Sequence, residues 1–139
     1  MVETKSAAFK FIRFQIPVFS YNESDKKESI LKLDFVPTGK YCQVDGKFKL
    51  DLEFSGSEDD DERKQVIYAK CVAFFEFEKD LPFSEIPIYF YKNAIAIVFP
   101  YIRSFVSTMT LQANSGLIML SLMNLSVLEA PLIKNTISE

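Results

Sequence analysis

A chain of 139 residues with 48 % apolar and 25 % charged side chains fits one folded domain and is too apolar to remain unfolded. It has 14 Phe and 6 Tyr but no His and no Trp, 2 Cys and 4 scattered Gly, so no metal site, phosphate-cradling loop or cofactor is expected. The net charge of −3 argues against a nucleic-acid partner.

Met1 to Lys10 opens with Glu3 and Lys5 and has no apolar core. No secretion signal is read there, and with only Cys42 and Cys71 a cytoplasmic location is expected. Phe9, Phe11 and Arg13 alternate with Lys10 and Ile12, after which the apolar phase moves to Phe14, Ile16 and Val18. That phase change predicts a strand with a bulge or with both faces covered. Leu31, Leu33 and Phe35 alternate with Lys32 and Asp34, a short half-buried strand ended by Pro37. Phe48, Leu50, Leu52 and Phe54 interleave with Lys47, Lys49, Asp51 and Glu53, the cleanest one-sided strand in the chain. The acidic run Glu58 to Glu62 lacks the alternating ligands and central Gly of a calcium loop and reads as a solvated hairpin turn. A long strand follows, with Ile67, Ala69, Cys71, Ala73, Phe75 and Phe77 on one face. Val66, Tyr68, Val72 and Phe74 lie on the other, beside Lys70, Glu76 and Glu78, so a cover is expected over each face.

Asp80 to Pro87 is a connector, and Ile88 to Tyr91 lead into a helix over roughly Asn93 to Ala113. Ile95, Val98, Ile102, Phe105 and Met109 share one side of it, while Ile97, Tyr101, Val106 and Thr108 leave the rest largely uncharged. One small sheet cannot cover such a helix, so an oligomer interface is expected through Ile95, Phe99, Ile102, Val106 and Met109. Pro100 should kink the helix and Asn114-Ser115-Gly116 should stop it. Ser104 to Leu128 carries no charge and is long enough for a bilayer, but Gln112, Asn114, Ser115, Gly116 and Asn124 interrupt it. A buried helix followed by an apolar extended segment is the better reading, without membrane insertion. Residues 126–139 read as a frayed tail. The fold class is α+β: a single domain, 1–139, with a four-stranded antiparallel sheet followed by one long kinked helix.

Catalysis finds little support. Cys42, Cys71 and the serines have no His to activate them, and Cys71 lies on an apolar strand face where a thiol is inert. The carboxylates sit in the 58–62 run or at Glu76 and Glu78, not across a cleft. No catalytic residue is expected, and the chain does not read as an enzyme. The positive signal is an apolar surplus, which implies a protein partner, a lipid or self-association.

Phe99-Pro100-Tyr101-Ile102-Arg103, followed by Val106-Ser107 and Met109, resembles the helix signature of the bacterial protein-export chaperone SecB family. Phe9-x-Phe11-x-Arg13 with Phe19-Ser20-Tyr21 resembles that family's first strand. Leu31 to Asp34, the strand at 48–54 and Met123-Asn124-Leu125 follow in the family's order. The resemblance spans most of residues 9–125. It implies a homotetramer, a dimer of dimers with central helices, acting as a cytoplasmic holdase that binds unfolded or precursor proteins and passes them to the SecA motor. Client contacts are expected at Phe75, Phe77, Tyr89, Tyr91, Leu117 and Met119, from position and apolarity. The family docks SecA through sheet carboxylates. The matching positions here are Val18, Asn22, Tyr68 and Lys70, none of them acidic, which leaves that hand-off open. Phe74-Phe75 replaces the family's usual Gly pair, and the family's second helix and SecA-contacting tail are not recognised. The expectation is a SecB-like holdase. The alternatives are a SecB-like chaperone dedicated to one partner, as in a toxin–antitoxin pair, or a non-catalytic small-ligand or acyl-chain binding protein.

Overall fold

The alternating apolar positions of the first half become four long strands. The computed structural model describes residues 8–23, 31–58, 61–113 and 125–139. Strands β1 (Lys10–Tyr21), β2 (Leu31–Cys42), β3 (Lys47–Glu58) and β4 (Asp61–Glu76) form an antiparallel sheet. Helix α1 (Ile88–Gln112), a short helix α2 (Glu129–Lys134) and a last strand β5 (Thr136–Ser138) complete the described elements. The sheet order is β1-β4-β3-β2-β5, with β5 parallel to β2. The four antiparallel strands and the long helix are those the sequence predicts.

The phase change in the first strand is a double irregularity: the β1–β4 register slips between Phe11 and Arg13 and again between Gln15 and Val18. Each slip returns an aromatic or aliphatic side chain to the inner face. Phe9, Phe11, Phe14, Ile16, Phe19 and Tyr21 thereby all pack against the core.

Strand β2 runs through Pro37 instead of ending there. Pro37 faces Leu52 across the β2–β3 ladder, at a position where the missing N–H would point toward the sheet edge. Its carbonyl accepts a bond from Asn135 Nδ2 at 3.3 Å. Two residues on, Gly39 is needed because a Cβ there would lie 2.6 Å from both Phe48 Cζ and Thr136 Oγ1. The turn into β3 closes on Gly46, whose φ of +72° favours glycine.

Residues 126–139 are not a frayed tail. Leu125–Leu128 form a 3-10 turn, α2 buries Leu132, and β5 lies along β2 with Gly39 opposite Thr136. The Gly39 amide donates to the Asn135 carbonyl, and Lys40 pairs with Glu139 at 2.6 Å. The tail is ordered because it satisfies backbone groups that β2 would otherwise leave open.

Helix α1 begins five residues earlier than the pattern predicts, directly after Pro87. Proline presets the φ of a helix entry and gives up an amide that has no partner there. Phe90 and Tyr91 then fall on the same side as Ala94, Ile95, Val98, Phe99, Ile102, Val106 and Thr110, and all of these are buried. The helix is continuous through Pro100, which cannot donate to the Ala96 carbonyl. The stop expected at Asn114-Ser115-Gly116 lies outside the described residues. By length and hydropathy α1 could cross a bilayer, yet one side of it is seated on the sheet. Only 39 % of its most apolar window is buried, so much of its other side is open in a single chain.

Candidate functional site

Most of the aromatic surplus lies inside. Phe90, fully buried, has ring centroids 4.9 Å from Phe9, 4.8 Å from Phe48, 5.3 Å from Phe75 and 4.7 Å from Phe77. These contacts are edge-to-face, a geometry that contributes about 1 kcal/mol per pair beyond burial. Tyr41 extends the cluster to Phe77 and Phe83 and donates its hydroxyl to the Leu81 carbonyl at 2.7 Å. Burial pushes the Tyr41 phenol above its ordinary pKa.

This packing corrects two expectations. Phe75, Phe77 and Tyr91 are at most 5 % exposed; they are spent on the core and present no surface to a client. Ile95, Phe99, Ile102 and Val106 are likewise buried against the sheet, so the side predicted as an oligomer interface is the inner side of α1. Met109 stays partly exposed and Tyr89 is 46 % exposed. Leu117 and Met119 lie outside the described residues.

Among the described residues an open groove lies where the second half of α1 passes over edge strand β1. Phe14, Ile16, Tyr101, Ser104, Phe105 and Thr108 line about 480 Å³ of it. Tyr101 stacks on Phe14 with centroids 5.2 Å apart and meets Phe11 at 5.7 Å. Phe105 meets the edge of Phe19 at 4.9 Å. The groove has an aromatic floor and a rim of hydroxyls, and Tyr101 is 48 % exposed. Such a surface offers large apolar contact with few directional demands on a ligand. The sequence pattern contains its signal: Tyr101, Phe105 and Thr108 recur at helical spacing on one flank of α1, beside the shifted phase of β1. Next to it, Pro100, Arg103, Ser104 and Ser107 border a second, more polar hollow.

The outer sheet face carries the four docking positions at adjoining places. Val18 faces Lys70 and Ser20 faces Tyr68 across the β1–β4 ladder, and the Asn22 amide donates to the Val66 carbonyl. Tyr68 donates to Glu53 at 3.2 Å. Among the described residues no three His, Cys, Asp or Glu side chains gather as a metal would need. Cys71 is 1 % exposed, and desolvation pushes its thiol up to about 12, the condition of an inert buried thiol.

The fold is similar to that of a solved structure, the SecB-like chaperone Rv1957 of Mycobacterium tuberculosis. That protein was solved in complex with a ChAD peptide from the Rv1956 HigA1 antitoxin. The TM-score is 0.67 over 84 % of this chain and 88 % of the other, at 14 % identity. The chain has a SecB-like fold. At the level of sequence it matches no family model and no curated protein. The SecB-like resemblance seen in the helix signature is thus recovered in three dimensions, with β5 as a short C-terminal strand that the sequence reading did not anticipate.

Proposed function

We infer that the protein is a SecB-like chaperone that captures an exposed polypeptide segment in the α1–β1 groove, and that it serves one dedicated partner. The observation that carries this reading is the open aromatic groove at Phe14, Tyr101 and Phe105 on a SecB-like scaffold. A toxin–antitoxin type of partner is supported by Rv1957, which holds a peptide from an antitoxin. The absence of acids at Val18, Asn22, Tyr68 and Lys70 favours a dedicated role over hand-off to an export motor. A chaperone of this kind needs no chemistry: it acts by mass action, binding the unfolded or peptide state of its partner.

Copies of the chain pack through the uncovered side of α1 in a dimer of dimers. That side carries Ala96, Pro100, Ser107 and the 61 % exposed Leu111, small and apolar groups that let helices approach closely. The general holdase is the second reading, supported by the same groove.

Affinity capture with the tagged chain from its native host tests the proposal. The expected result is one stoichiometric partner whose solubility depends on the chain, lost with Tyr101→Ser/Phe105→Ser. Equal suppression of aggregation for several unrelated, chemically unfolded proteins would instead establish the general holdase. Neither capture nor suppression at a molar excess overturns both.

A further inference from the structure

The outer face of the sheet turns away from α1, and its charges are not spread evenly. At one end of β4, Lys10 of β1 and Lys47 of β3 both lie opposite Glu76. In the next row, Arg13 of β1 and Lys49 of β3 both lie opposite Phe74. Four cations therefore surround one carboxylate and one aromatic ring, on a chain whose net charge is −3. All four cations are exposed and Phe74 is half-buried. The Arg13 guanidinium lies over the Phe74 ring, 4.4 Å from its centroid. That stacking holds the planar group in place and leaves its N–H edge free to meet a carboxylate. Asp45, in the adjoining turn, accepts from the Lys47 backbone amide at 3.0 Å, so its charge is partly engaged by the turn itself. The basic character ends at the following row, Gln15–Val72–Asp51.

We propose that these two rows are a docking site for a short acidic polypeptide segment, separate from the groove. Charge complementarity is one argument, and spacing is the other. Lys47 and Lys49 are alternate residues of one strand, so their side chains stand about 7 Å apart, the repeat of same-side side chains in any extended chain. Arg13 and Lys49 flank β4 at about 10 Å from each other. An extended peptide with carboxylates at alternate positions meets both rows and sets an apolar side chain on Phe74. Nucleic acid and anionic membrane fit less well: the patch is small, Glu76 sits within it, and the chain's net charge repels an extended polyanion at long range. The site does not rest on the chaperone reading, because it uses none of the groove residues.

Fluorescence anisotropy on the full chain tests it, with a labelled peptide of alternating Glu and Ser around a central Leu. The same peptide with Gln for Glu, a short single-stranded oligodeoxynucleotide and phosphatidylglycerol vesicles serve as comparators. The Glu peptide is expected to bind, to weaken as salt rises, and to lose roughly tenfold or more in affinity with Lys47→Glu/Lys49→Glu. Lys92→Glu on α1 and Tyr101→Ser in the groove should leave it unchanged. If the double variant fails to fold by circular dichroism, Arg13→Glu carries the same expectation. Equal binding of the Gln peptide, indifference to the reversals, or preference for the oligonucleotide or the vesicles overturns the proposal.

Discussion

Cys71 shows how much a single position reports. It faces Leu52 across the β3–β4 ladder on the inner side of the sheet, and desolvation holds its thiol protonated to about pH 12. A folded-state value above the ordinary one means that stability is complete below about pH 9 and is lost as pH rises from there toward 12. The expected slope from this group is about 1.4 kcal/mol per pH unit. Urea titrations of the wild type and Cys71→Ala between pH 8 and 11 should show that slope only in the wild type, as a difference between the two. That Cys71 is buried was legible, because it alternates with Ile67, Ala69 and Ala73. The fate of Phe75 and Phe77 on the same face was not. Periodicity tells which residues share a face, but not whether that face meets the chain's own helix or a partner. Here Phe90 fills it.

At the scale of elements, the strands and the long helix were readable because their patterns are long and regular. Their ends were not. Pro37 reads as a terminator, yet a proline is tolerated on a strand whose outer side lacks a ladder partner at that residue. Ile88 to Tyr91 read only as a lead into the helix, because aromatic and β-branched residues are not strong helix formers, and the helix took them once Pro87 set its entry. The last strand has only three residues, too few for alternation to register. Its value lies in what it covers. Removing residues 135–139, which takes away the Asn135 carbonyl that accepts from the Gly39 amide, should expose the β2 edge: amide exchange at Gly39 and Tyr41 accelerates by at least about tenfold, while that of Leu50 and Leu52 is little changed. Hydrogen–deuterium exchange read by NMR checks this, and unchanged protection at Gly39 would contradict it.

For the whole molecule, the sheet covers one side of α1, and the side left exposed is opposite to Ile95, Phe99, Ile102 and Val106. The inner side is satisfied by the sheet, and the side bearing Ala96, Pro100, Ser107 and Leu111 is what a second copy would meet. Ala96→Glu/Leu111→Glu is expected to reduce the mass measured by size-exclusion with light scattering while leaving the circular dichroism spectrum intact. A wild-type chain that is a stable monomer would contradict assembly through this face. The candidate groove stands at the boundary of this logic. It was legible only in retrospect, since Tyr101 and Phe105 form a site by meeting Phe14 and Phe19 from a strand far away in sequence.

The last strand also sets an order of events. Pro37 and Asn135, which join the tail to the sheet, are 98 residues apart along the chain. Contacts this distant carry the largest loop-closure cost and form late. During synthesis, β2 can pair with β3 as soon as both have emerged, but its other edge waits until Asn135 to Ser138 have been made. The β2 edge is therefore the part of the nascent molecule most open to stray strand pairing, and docking of the tail is the step that ends this exposure.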